Sequence, residues 1–342
     1  MTKNKSNILL IYTGGTIGMV KDFETGALHA FNFDELLKRI PELSQLDCSI
    51  NTISFEEPMD SSNMNPAFWV QIVEIIEQNY EAYDGFVVLH GSDTMSYTAS
   101  ALSFMLENLA KPVIFTGSQL PIGHLRTDAK ENLITSIEIA ALKKNGKPVI
   151  QEVGLYFEYK LYRANRTTKI NAEHFQAFTS LNYPPLAESG VHLKVNHEYL
   201  LKPTRRKFKA HKKMDVNIAL IKLFPGITEE VLQCLLMNPG TKAIILETYG
   251  AGNAPTEKWF DNLIKRAIDS GKIIVNVTQC SGGSVIMGRY ETSSHLKKVG
   301  VISGKDITTE AALTKLMHLL GNKIQRKVFK TIYETSLRGE MD

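Results

Sequence analysis

Cysteine is scarce in this chain. Cys48, Cys234 and Cys280 are the only three in 342 residues, an odd number spread too widely for a disulfide framework. No CxxC pair or histidine spacing accompanies them, which argues against a zinc site. Long apolar runs are missing as well. The first apolar stretch, residues 8–12, ends at a pair of glycines, and no later one approaches twenty residues, so neither a signal-peptide core nor a membrane span is expected. Together these absences point to a reducing, cytoplasmic location. Net charge is small, 39 Lys and Arg against 36 Asp and Glu. Seven of the basic residues (Lys202, Arg205, Arg206, Lys207, Lys209, Lys212 and Lys213) sit in one acid-free stretch, and without them 32 basic residues face 36 acidic ones. The excess is therefore local and reads as a basic linker, with no case for nucleic-acid binding.

Two nucleotide-binding fingerprints also fail. Counted from Gly14, the second and third glycine positions of a dinucleotide loop hold Thr16 and Met19. Residues 300–306 resemble a phosphate loop, but they have one residue too few between glycines and Asp306 where a magnesium-binding hydroxyl belongs; they read as a loop with Asp306 starting a helix. Repeats and low-complexity segments are absent.

What is present is a globular composition, 43% hydrophobic and 22% charged, at a length that divides into two domains. Apolar strand candidates at 8–12, 49–55, 86–90, 112–116 and 153–157 alternate with helical patterns at 66–80, 94–108 and 128–144. In the first of these helices Phe68, Ile72 and Ile76 fall on one face. After periodicity fades, strands recur at 216–220, 243–247 and 273–277, and helices near 227–237, 256–269, 306–320 and the carboxyl end. The reading is an α/β protein with a larger N-terminal flavodoxin-like parallel sheet, helices on both its faces, and a smaller C-terminal α/β domain. The expected boundaries are 1–190, a basic linker at 191–213, and 214–342.

Two strands end alike. Residues 8–12 run into Thr13-Gly14-Gly15-Thr16, and residues 86–90 into Gly91-Ser92-Asp93-Thr94. Each delivers hydroxyl groups after a glycine, as open parallel sheets do when they build a site at their strand ends. A hydroxyl is a weak nucleophile, so a hydrolase using one needs a base, a group to hold the oxyanion and charges to orient substrate. Thr16 and Ser92 supply hydroxyls and Asp93 a carboxylate. Lys169 follows the 153–157 strand and has Arg163 and Arg166 nearby in sequence, which favours the neutral form that a lysine base requires.

Thr13-Gly14-Gly15-Thr16-Ile17-Gly18, Met59-Asp60-Ser61-Ser62, His90-Gly91-Ser92-Asp93-Thr94-Met95, Thr116-Gly117-Ser118-Gln119 and Asn165-Arg166-Thr167-Thr168-Lys169 resemble, in order, the motif set of the type I, cytoplasmic L-asparaginases. The resemblance continues through residues 249–255 and 276–280 and so spans nearly the whole chain. It implies hydrolysis of L-asparagine to L-aspartate and ammonia without metal or organic cofactor, in a homodimer or homotetramer. By that resemblance Thr16 is the nucleophile, forming a β-aspartyl enzyme. Ser92, Asp93 and Lys169 are the second catalytic set, in which Asp93 also holds the substrate ammonium. Gly15, Asp60, Ser61, Ser62 and Gly91 complete substrate binding.

Two departures from the pattern stand out. Ser92 replaces the usual threonine and loses the methyl that restricts its rotamer. The stretch 21–31 has no tyrosine where many relatives place one in a mobile loop, and Tyr290 is the candidate replacement; residues 21–30 suit a lid over bound substrate. Two alternatives belong to other classes: an ammonia-releasing transfer-RNA amidotransferase subunit, which would need an extra domain before the first motif, and a nonenzymatic amino-acid sensor. A weak glutaminase side activity is compatible with a one-methylene difference in substrate.

Overall fold

The computed structural model describes residues 5–21, 28–30, 40–288 and 291–342. The chain forms two compact units, Met1–Lys212 and Lys213–Asp342.

Eight strands of the first unit form one sheet: β1 (Ser6–Gly14), β2 (Cys48–Met59), β3 (Gly85–Leu89), β4 (Val113–Thr116), β5 (Val153–Phe157), β6 (Lys160–Arg163), β7 (Ala187–Glu188) and β8 (Lys194–Val195). Their spatial order is 8-7-6-5-4-3-1-2, in which β2, β1, β3, β4 and β5 run parallel and the other three antiparallel. The parallel part has the expected flavodoxin-like order 2-1-3-4-5. Every residue of β3, β4 and β5 is buried, which is why these strands read as continuous apolar runs instead of alternating ones. Leu133 and Ile137 of α3 (Ala129–Ala141) pack on the sheet face bearing Ile8, Leu10, Tyr12, Val87 and Leu89. Leu9, Ile11, Phe86 and Val88, which alternate with them along the strands, are fully buried too.

Helix α1 (Pro66–Asn79) starts where Asn65 accepts a hydrogen bond from the Ala67 amide at 3.0 Å, ahead of proline at the first helical position. Its inward stripe is Trp69, Ile72, Val73 and Ile76. Phe68 is only half-buried and stacks on Phe55, so the expected face is rotated by one residue. Helix α2 (Met95–Met105) stops three residues short of expectation because Leu106–Glu107 pairs with Lys209–Ala210. Helix α3 ends at Ala141 instead of Lys144, because Asn145 and Gly146, both at positive φ, turn Lys143–Lys144 back onto Lys147–Pro148 as a hairpin.

The stretch expected as a linker, 191–213, contributes β8 and Lys209–Ala210 to the sheets of the first unit. Phe208 stacks on Tyr80 at 3.9 Å, His211 meets Glu107 at 2.7 Å, and Lys212 pairs with Glu74 and Glu77. Part of its positive charge, that of Lys212, is thus neutralised by acids on α1.

The second unit holds a four-stranded parallel sheet in sequential order, β9 (Ile218–Lys222), β10 (Ala243–Thr248), β11 (Ile273–Thr278) and β12 (Ile302–Ser303). Helices α4 (Glu229–Leu236) and α5 (Lys258–Asp269) place Leu232, Leu236, Phe260, Leu263 and Ile264 against Ile244 and Leu246. After α6 (Glu291–Val299), helices α7 (Thr309–Gly321) and α8 (Arg326–Tyr333) bring Leu316, Leu319, Phe329 and Tyr333 to the opposite face, on Ile245, Val275 and Val277. Helix α7 begins after Thr308, whose hydroxyl accepts from the Ala311 amide. Asp306, expected to start it, instead accepts from the Asp342 amide at 2.9 Å. Lys315 and Glu340 form a fully buried ion pair in this unit. No described helix is long and apolar enough to cross a membrane.

Candidate active site

In a 2-1-3-4-5 sheet the strand order reverses between β1 and β3, opening a crevice at their carboxyl ends. Tyr12 lies opposite Leu89, so the turns that follow the two strands are neighbours. Glycine lets them touch. A Cβ on Gly15, whose φ is +89°, would sit 2.5 Å from the Gly91 amide nitrogen, and a Cβ on Gly91 would sit 2.5 Å from Ser61 Oγ. Gly15, Gly91 and Ser61, from the ends of β1, β3 and β2, are therefore in direct contact with no room for a side chain between them. Two hydroxyls tie the turns further, Thr13 donating to the Leu89 carbonyl at 2.9 Å and Thr94 to the Ser61 carbonyl at 2.7 Å.

Thr16 follows this contact, half-buried at the start of a short 3-10 turn, Thr16–Gly18. Ser92 and Asp93 open the turn that leads into α2. Lys169 lies on a two-residue strand, Thr168–Lys169, paired with Phe178–Thr179. Its Nζ donates to Ser92 Oγ at 2.9 Å and to Asp93 Oδ1 at 2.6 Å. The lysine side chain is 17% exposed and the aspartate 66%, so one partner of the pair is shielded and the other faces solvent.

Asp60 is exposed and accepts the Ser62 amide at 2.8 Å, a hydrogen bond that holds its carboxyl below the usual range. Ser61 is buried and Ser62 exposed. The structure thus brings Gly15, Ser61 and Gly91 together, and joins Ser92, Asp93 and Lys169 through hydrogen bonds. Tyr290 and residues 22–27 of the expected lid lie outside the described residues. Among the described residues no three His, Cys, Asp or Glu side chains are placed to hold a metal ion.

Sequence reasoning assigned no role to three residues here. Thr13 and Thr94 lie within recognised motifs, but their hydrogen bonds depend on strand order. His90 is completely buried, with Nδ1 2.7 Å from the Gly91 carbonyl and Nε2 lacking a partner. Burial pulls its pKa down to about 4, against a smaller upward pull from that carbonyl, so the ring is neutral and Nδ1–H is the donor.

A doubly wound sheet whose reversal point gathers hydroxyls, a lysine and a carboxylate holds the groups that an α/β hydrolase with a hydroxyl nucleophile requires. Residues 7–201 match the model of the asparaginase N-terminal domain, and residues 217–333 that of the glutaminase/asparaginase C-terminal domain. The chain is 43% identical to L-asparaginase 1 of Escherichia coli over 98% of both sequences. The crystal structure of L-asparaginase I from Vibrio cholerae superposes with a TM-score of 0.90 at 42% identity, covering 99% of each chain. A glutamyl-tRNA(Gln) amidotransferase subunit of Pyrococcus abyssi is 33% identical, over 98% of this chain and 76% of that protein. The chain belongs to the asparaginase family.

Proposed function

We propose that the protein hydrolyses L-asparagine to L-aspartate and ammonia. The observation that carries this reading is Lys169 in contact with both Ser92 and Asp93, beside strand ends pressed together at Gly15 and Gly91. Thr16 Oγ attacks the side-chain amide carbon and passes its proton on, and the C–N bond then breaks to release ammonia. Water hydrolyses the resulting β-aspartyl ester and restores the hydroxyl. Ser92 and Lys169 handle the protons. For that, Lys169 must give up a proton, and the Asp93 carboxylate that now holds it can instead engage the substrate ammonium. Buried Ser61 and the amides of its turn receive the α-carboxylate, with Asp60 and Ser62 shaping the loop. Tyr290 relays protons to Thr16. The enzyme works in the cytoplasm as a homodimer or homotetramer, with a weak glutaminase side activity.

The family's L-asparaginases favour this reading over an amidotransferase subunit, which shares less identity and matches over a smaller part of its length. A coupled ammonia assay with asparagine and glutamine over a wide concentration range tests it. Thr16→Ala is expected to lower asparagine turnover on the order of 10⁴-fold. Near-normal ammonia release by that variant would remove Thr16 from the mechanism, and asparagine binding in calorimetry without ammonia release would favour a sensor.

A further inference from the structure

The motif Thr116-Gly117-Ser118-Gln119 begins on the last residue of β4, and its last side chain reaches into the cluster. Gln119 Oε1 accepts from Ser92 Oγ at 3.2 Å, while Nε2 donates to the carbonyls of Ala172 at 3.1 Å and His174 at 3.0 Å. Those two carbonyls fix the amide's orientation. A flipped amide would set Oε1 against two acceptors and turn a donor toward Ser92. The Ser92 proton therefore points at Gln119, and the Ser92 lone pairs face Lys169. The glutamine backbone is fixed as well: the Asp128 carboxylate accepts the amides of Gln119 at 2.9 Å and Leu120 at 3.1 Å, and Asn132 Nδ2 holds the Gly117 carbonyl at 3.0 Å.

We propose that Gln119 is a positioning residue that takes the Ser92 proton side, so holding the Ser92 Oγ lone pairs against Lys169, and ties both residues to the 172–174 loop. It thereby supplies by hydrogen bonding the rotamer control that a threonine methyl would supply at position 92. A serine hydroxyl has three staggered positions open to it, and the β-branched threonine fewer. The amide at position 119 selects one of them from outside the residue. Because it also grips the segment just beyond Lys169, one side chain sets the spacing of the Ser92–Lys169 pair from both sides.

The inference rests on the reading of Ser92 and Lys169 as the proton-handling pair, and its test has one arm that does not depend on turnover. Gln119→Met, of similar length but with no donor and only a weak sulfur acceptor, is compared with the parent in the Ser92 and Ser92→Thr backgrounds. With Ser92, kcat on asparagine is expected to fall about tenfold while KM changes less than about twofold, the cost of one lost positioning hydrogen bond to a reacting group. In the Ser92→Thr background the same change is expected to cost less than about threefold. Equal losses in the two backgrounds, or a rise in KM at constant kcat, would overturn the proposal. The second arm is a crystal structure of Gln119→Met, or of Gln119→Leu if the methionine variant does not fold. Ser92 Oγ is expected off its Lys169 contact or spread over two rotamers. An unchanged Ser92–Lys169 contact sinks the idea whether or not the protein hydrolyses asparagine, whereas failure of the parent enzyme in the ammonia assay sinks only the catalytic reading.

Discussion

His90 shows how much one buried ring can demand of its surroundings. With its pKa pulled from 6.5 to about 4 in the native state, it stays neutral where the unfolded chain takes up a proton. Between those two values the unfolded state binds more protons, so stability falls as pH drops from about 6.5 toward 4 and this contribution is gone below 4. The shift corresponds to about 3 kcal/mol at most. Urea unfolding at pH 7 and pH 4.5 checks it. His90→Asn keeps a donor for the Gly91 carbonyl but has no titratable ring, and it is expected to flatten the decline. Gly15 sets a second limit. Gly15→Ala must accommodate both φ +89° and a Cβ 2.5 Å from Gly91 nitrogen, and it is expected to cost about 3 kcal/mol with loss of activity, read from the same unfolding curves and the ammonia assay.

Elements succeed or fail by their ends. Asn65→Ala removes the side-chain acceptor for the Ala67 amide and is expected to destabilise the protein by about 1 kcal/mol, measured by thermal or urea unfolding. That start was legible because a cap residue and a proline stand side by side in the sequence. The far end of α3 was not, since Leu142 extends the apolar pattern, Lys143 and Lys144 suit a last helical turn, and only the Asn145-Gly146 pair, with both φ values positive, signals a stop. Strands β1, β3 and β4 announced themselves as apolar runs that stop at a glycine. Two-residue pairings such as Thr168–Lys169 with Phe178–Thr179 carry no such pattern, yet one of them positions the site lysine. The candidate site residues were legible as motifs, and the expected flavodoxin-like order already set the ends of β1 and β3 side by side. Their individual contacts were not legible, because the Gln119 bonds and the Gly15–Gly91 approach depend on turn geometry that no motif states.

Across the full chain, each unit carries its own reporter and its own core. Trp69 is buried in the first and Trp259 packs in the second. The buried Lys315 ammonium of the second unit donates to the carbonyls of Tyr333 and Thr335 and to Glu340, while Glu340 accepts the amides of Leu337 and Arg338. Removing one partner strands the other charge, so Glu340→Ala is expected to cost about 3 to 5 kcal/mol. In a Trp69→Phe background, tryptophan fluorescence then follows the second unit alone and should show the transition at markedly lower urea. In the first unit, the Gly15–Gly91 contact fixes the distance between the two turns through main chain, independent of what side chains 16 and 92 carry. The mount is thus separate from the tool. A thiol or a selenol exchanged into position 16 would inherit the same backbone placement, which makes this crevice a scaffold for installing chemistries that its natural hydroxyls do not perform.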